Sequence, residues 1–495
     1  MPNKPPRRMK NPPPKISLRE VEQAIRGSIS NKDMHQYGGV KDSVSFICMP
    51  RDEQDNLLDG LYNVWEGLEN KSLNSPIPET ALWYAEFRKY FDILKAMPRP
   101  RIISQGEPLP LMECSRGGQF LIYSIVNNRI YRWVLQNGRI VLWDFTNIES
   151  KFDSRTHLDD SVNFIINEYP FTEESGFNPR MNHEHKMILE KLYALLLKGA
   201  VKYLKATNNR FKYTTIVPDG ILLHVPYSAL IDGKNRYLIN KAHPYVILES
   251  LLINPILSRQ ARRRPPQRIP RTNLIIGGDF SGRYYTGRLS NGLDSAMSEE
   301  AMQKELRLVA EKLNPPTTNI RQRPIAVVLR GAEATNVTFE SCCQMRPKII
   351  HIASHCSPRN PRRPNSPWGM VFLDKFLTPE KVSSHNLGGV EFVFLNACRS
   401  ARNPQSATEG VGFNRAFFAA GVPTVISCLT SVQSLISAAI AVRFYQNRQE
   451  DSSIAKALHD AILSVKNKPL RGLGRGTSVH HIPSLWFGWQ VYGNQ

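Results

Sequence analysis

Two segments of the chain end in side chains able to do covalent chemistry. KIIHIASH (348–355) ends at His355, and EFVFLNAC (391–398) ends at Cys398. Both runs are short, apolar and rich in β-branched and aromatic residues, the signature of a buried strand. They are consecutive strong strands and are expected to be neighbours in one sheet. A histidine and a cysteine at adjacent carboxyl ends can face one substrate. A thiol attacks only as thiolate, and a nearby imidazole supplies the base that forms it near neutral pH.

The other candidate groups read more plainly. A cysteine at the end of an apolar strand commonly packs as a small hydrophobe. Cys48, Cys114 and Cys428 are read that way, and so is the pair Cys342-Cys343 on an expected helix. His351, His355 and Cys356 raise the question of a metal. On a strand, residues four apart are separated by more than ~10 Å at about 3.3 Å per residue, too far for one zinc. No metal and no cofactor are expected. His351 is expected to be a structural neighbour of the site, and His480-His481 beyond a Gly-rich loop is expected to be solvated.

The elements that hold His355 and Cys398 alternate in type. Strands are expected at 273–278, 325–331, 348–355, 391–398, 423–429 and 486–493. Helices are expected at 295–313, 336–345, 410–420, 434–447 and 452–466. Apolar strands separated by helices imply βαβ units and a mainly parallel sheet, whose sites form at the carboxyl ends of the strands. Upstream, residues 117–145 read as a β-meander with turns at Asn127-Asn128 and Asn137-Gly138. A helical pattern follows at 183–205, then a strand at 213–217. Residues 1–15 are Pro- and Lys/Arg-rich and read as a disordered basic arm. Residues 16–112 read as a helical N-terminal region, with Leu57, Leu58, Leu61 and Trp65 on one face and a second helix at 80–97. Residues 259–272, with Arg262, Arg263, Arg264, Arg268 and Arg271 among prolines, read as a linker.

The chain has 495 residues, which supports several domains each with its own core. Hydrophobic residues at 41% and charged residues at 22% exclude a mainly disordered chain. No apolar run is long enough to span a membrane, and the polar N-terminus does not read as a secretory signal. Seven cysteines without framework spacing fit a reducing cytoplasm better than a disulfide scaffold. The net charge of +21 attracts acidic partners, nucleic acid among them.

HIASH followed by FLNACRSA resembles the caspase-like cysteine proteases, and more narrowly their CHAT-domain branch, relatives of caspase and separase. Further segments carry the resemblance: 217–250, Gly331-Ala332-Glu333-Ala334-Thr335, EGVGFNRAFFAAGVPTVISCL (409–429) and the closing WFGWQVYGN. It covers roughly residues 115–495. The fold it implies is α/β, a caspase-like, mainly parallel sheet flanked by helices. A pseudo-protease lobe at 113–258 precedes an active lobe at 273–495. The resemblance implies a Cys398 nucleophile, a His355 acid/base partner, and an oxyanion hole from the backbone N–H groups of Cys356 and Cys398. The family usually has glycine after the histidine, and this chain has Cys356. Relatives that cut after Lys or Arg often carry an acid two residues before the nucleophile. Here that residue is Asn396, with Glu409 and Asp374 as other candidates for the substrate pocket. Residues 356–368, CSPRNPRRPNSPW, form a loop placed to line or gate the cleft.

The implied activity is that of an intracellular cysteine endopeptidase acting on a protein substrate. Members are commonly switched on by a signal, a partner or self-cleavage, often in bacterial antiviral defence or programmed death. A regulatory protein partner is therefore expected, with residues 16–112 as its candidate docking region. The alternative is a catalytically weak scaffold that uses the basic surface to bind nucleic acid or an acidic protein.

Overall fold

The computed structural model describes residues 56, 76–96, 111–168, 171–172, 176–203, 211–242, 244–262, 272–278, 292–314, 326–357, 369–402, 412–448, 452–468, 479 and 482–494. The basic arm, Cys48, the face of Leu57, Leu58, Leu61 and Trp65, Arg263, Arg264, Arg268, Arg271, Glu409, His480-His481 and residues 358–368 lie outside the described residues.

The meander forms as β1 (Gln119–Val126), β2 (Arg129–Gln136) and β3 (Arg139–Asn147), all antiparallel. Its second turn places Asn137 at φ 51° and Gly138 at φ 76°, the left-handed backbone that an Asn-Gly hairpin turn requires. Helix α1 (Pro76–Ala96) precedes the meander. Helices α2 (Arg155–Asn167) and α3 (Pro179–Leu196) follow it, then strands β4 (Thr214–Val217) and β5 (Tyr245–Ile247) and helix α4 (Asn254–Arg262). Helix α4 therefore runs into residues 259–262 of the expected linker.

Helix α1 is built into this part of the fold. Leu82, Ala85, Glu86, Arg88 and Lys89 are all buried. Arg88 donates to Asp219 at 2.7 Å and to the Ser124 hydroxyl at 3.0 Å, and Asp219 also accepts from the Ile125 N–H at 2.8 Å. A buried pair of this kind holds segments together strongly, because losing one partner leaves a buried charge and costs about 3–5 kcal/mol.

The second half continues with β6 (Asn273–Gly277), α5 (Gly292–Leu313), β7 (Ala326–Leu329), α6 (Asn336–Gln344), β8 (Ile349–Ala353), β9 (Cys356–Ser357), β10 (Gly369–Val371), β11 (Phe376–Leu377) and α7 (Pro379–Ser383). It closes with β12 (Phe392–Asn396), α8 (Phe413–Ala419), β13 (Thr424–Cys428), α9 (Ser434–Asn447), α10 (Ile454–Lys466) and β14 (Trp489–Gly493). The Gly331–Thr335 segment starts α6. Gly331 takes φ 53°, and the Thr335 and Thr338 side chains cap each other's backbone N–H in a capping box.

Among the described residues one sheet of eleven strands runs β3–β2–β1–β4–β5–β14–β13–β12–β8–β6–β7. It is mostly parallel. β14 pairs parallel with β5 and antiparallel with β13, so the strands of the two halves point opposite ways. β6, β8, β12 and β13 are buried along their whole length, as strands covered on both faces must be. Helix α5 packs on β6, β7 and α9, and α9 packs on β12 and α10. β9, β10 and β11 form a separate antiparallel ribbon directly after His355. Among the described residues no helix is long and apolar enough to cross a membrane.

Candidate active site

β8 and β12 are adjacent and parallel, with Ala353 opposite Asn396. His355 and Cys398 each lie two residues beyond that pair. Side chains alternate along a strand with period two, so 351 and 353 share a face with 394 and 396. That face looks toward α5 and α9, since His351 bonds to Glu305 of α5 and Tyr445 of α9. Phe394 packs its ring on Tyr445 at 5.9 Å between centroids. His355 and Cys398 line one pocket, together with Met302, Glu305, Ala353 and Asn396.

Burial pushes the His355 imidazole down to about 4. Burial also raises the Cys398 thiol above its ordinary range, against the Val432 N–H, the Arg399 charge and the Ser431 side chain. The Val432 N–H donates to the Cys398 sulfur at 3.3 Å. At neutral pH the two groups are therefore thiol and neutral imidazole. The segment after Cys398 is pinned to β13. Arg399 N–H donates to the Thr430 carbonyl and Ala401 N–H to the Cys428 carbonyl, both at 2.9 Å. Arg399 itself sits at φ 57°, a left-handed conformation that costs a non-glycine residue on the order of 1 kcal/mol and persists only where the surroundings enforce it. Arg402 reaches across to the first half of the fold. It donates to the Ile166 carbonyl at 2.7 Å and the Asn167 side chain at 2.8 Å at the end of α2, and to the Leu429 carbonyl at 3.0 Å.

Cys356 opens strand β9 opposite Met370. The Val371 N–H donates to the His355 carbonyl at 2.9 Å. That pattern makes Cys356 and Met370 a non-hydrogen-bonded pair, so the Cys356 N–H points off the ribbon. The backbone there is extended, and a Cβ is accommodated without glycine. The Cys356 thiol is buried, which pushes it up to about 12.

The structure separates the pocket candidates. Asp374 accepts from the Asn336 N–H at 2.9 Å and the Asn336 amide at 3.1 Å, at the first turn of α6, and is not among the residues lining the pocket. Asn396 does line it. Its Nδ2 donates to both oxygens of Glu305 at 2.7 Å. Glu305 is the residue that sequence reasoning missed. It stands at 2% exposure on α5, in the stripe Met302, Glu305, Leu306, Val309. An acid at a stripe position of an amphipathic helix was the available signal. His351 is buried, with its Nε2 at 3.0 Å from Glu305 and its Nδ1 at 3.3 Å from the Tyr445 hydroxyl.

A mostly parallel sheet flanked by helices, with cysteine and histidine at neighbouring strand ends, places the chain in the caspase-like cysteine-protease fold class. The chain belongs to the CHAT domain family, whose match spans residues 186–494. The separase–securin complex of Saccharomyces cerevisiae is similar in structure over 96% of this chain and 37% of its own, with a TM-score of 0.56 at 9% identity. A second structure of that complex gives 0.46 at 11% identity over 96% and 40% of the two chains. The Arg-specific cysteine proteinase gingipain R gives 0.33 at 10% identity over 63% and 67%. At 9% identity the first of these is a likeness of fold. The chain spans well under half of the separase it matches. No curated protein sequence matches it.

Proposed function

We propose that the chain is a cysteine endopeptidase in which Cys398 is the nucleophile and His355 the general base and acid. The observation that carries this reading is the equivalent placement of the two residues beyond paired strand ends, in one pocket. His355 takes the Cys398 proton as the sulfur attacks the scissile carbonyl. The oxyanion of the tetrahedral intermediate accepts from the N–H groups of Cys356 and Cys398. Imidazolium then protonates the departing amine, leaving a thioester. Water attacks the thioester with His355 again taking a proton, and the acid and free thiol are released.

The substrate is a protein, and a protein partner controls the enzyme. Separase, solved with securin, supports a partner of that kind. Residues 113–258 act as a supporting lobe, joined to the nucleophile segment through Arg402. The test is identification of new N-termini generated in a lysate by the full chain and by Cys398→Ala. The wild type is expected to produce cleavages that Cys398→Ala, folded to the same thermal stability, does not. An identical set from both would overturn the reading.

A further inference from the structure

Two hydrogen-bond acceptors in the pocket are left with capacity to spare. Glu305 brings a carboxylate from α5 at 2% exposure. Its partners are neutral or titratable donors, the Asn396 amide and His351. Among the described residues no lysine or arginine pairs with it. Asn396 spends its Nδ2 on Glu305, and its Oδ1, at 6% exposure for the residue, has no hydrogen-bond partner among the described residues. A buried acid paired with no lysine or arginine, beside an unsatisfied carbonyl oxygen, has room for a further donor. Met302 and Ala353 line the same pocket and offer apolar surface to a side-chain stem. An apolar wall with acceptors at its side suits a long aliphatic chain ending in a cationic donor group.

We infer that this pocket is the subsite for the residue whose carbonyl is attacked, P1, and that it selects lysine or arginine through Glu305 and Asn396 Oδ1. The inference rests on the protease reading of His355 and Cys398. The acid that the strand position two before the nucleophile lacks comes instead from a helix, with Asn396 as the bridge. An acidic P1 would meet the Glu305 carboxylate head on. A purely apolar P1 would seal the two acceptors away from water without a donor. Arg399, the cation whose charge acts on Cys398, is not among the lining residues and does not turn the pocket toward acids.

The test uses the full chain and a set of peptidyl acyloxymethyl ketones that differ only at P1: Arg, Lys, citrulline, Leu and Asp. Modification of Cys398 is followed by intact mass and peptide mapping. Arg and Lys probes are expected to label Cys398 at least ~100-fold faster than citrulline, which keeps the shape of arginine and loses its charge. In Glu305→Gln the Arg-to-citrulline ratio is expected to fall at least ~10-fold, the size of a lost charge-assisted contact. Should that variant not fold, the wild-type comparison of Arg with citrulline decides alone. Equal labelling by Arg and citrulline, or faster labelling by Leu or Asp, overturns the basic subsite and leaves the protease intact. Failure of every probe to reach Cys398 overturns the protease reading and the subsite with it.

Discussion

With His355 held near 4 and Cys398 raised by burial, the resting pair carries no charge at neutral pH. This sets the pH behaviour. His355 must be neutral to take the thiol proton, so activity is expected to be lost as pH falls through about 4 and to be present above it. The Cys398 thiol is expected to react slowly with iodoacetamide at about pH 7 and to speed up as pH rises, because only thiolate reacts. Fast alkylation that does not change between about pH 5 and pH 7 would show a preformed thiolate–imidazolium pair and contradict the neutral one. Cys356 belongs at this scale too. Its extended backbone in β9 presents the N–H without the left-handed turn that would have called for glycine.

At the scale of elements, the nucleophile segment is held by β13 on one side and by the end of α2 on the other. Arg402 makes both links and can do so because a planar guanidinium offers several donors in a fixed fork. Arg402→Ala is expected to cost about 2 kcal/mol of stability, as charged donors leave three buried acceptors. It is also expected to lower the kcat of Cys398-dependent cleavage more than it changes KM. Arg402→Lys is expected to restore little, since one ammonium does not span the three acceptors. Unchanged unfolding and unchanged kcat in Arg402→Ala would remove α2 from any role in placing Cys398. The strands that carry the site were legible in the sequence, because KIIHIASH and EFVFLNAC are short apolar runs with polar ends. The Asn137-Gly138 turn was legible from its dipeptide. Helix α2 was not anticipated, although Leu158, Val162 and Ile165 fall at i, i+4 and i+7 behind the Ser154 cap, a stripe only three residues long. The strands of the β9–β11 ribbon are two or three residues long and carry no period to read. Glu305 was hidden for another reason. It meets His351 across 46 residues of chain, and only the packing of α5 on β8 and β12 brings them together.

Across the whole molecule, a chain of net charge +21 keeps a buried carboxylate at its pocket. Its positive field acts on partners only over a Debye length of about 8–10 Å, whereas Glu305 acts at contact distance. Any recruitment of an acidic partner by this field is therefore expected to weaken with salt, while the rate of labelling by the short P1 probes is expected to change little. The sheet is divided too. β6, β7, β8, β12 and β13 point their carboxyl ends toward the His355 and Cys398 edge, while the first half extends the sheet and carries α2, whose end accepts from Arg402. His355 and Cys398 are expected to act as one unit. The direct measurement is kcat/KM on one cleaved peptide for wild type, Cys398→Ala, His355→Ala and the double variant, each checked for the same thermal unfolding. Residues that share one chemical step are strongly non-additive, so each single variant is predicted to fall to background and the double to be no worse than either. Full cleavage by either folded single variant, or losses that simply multiply in the double, would contradict it.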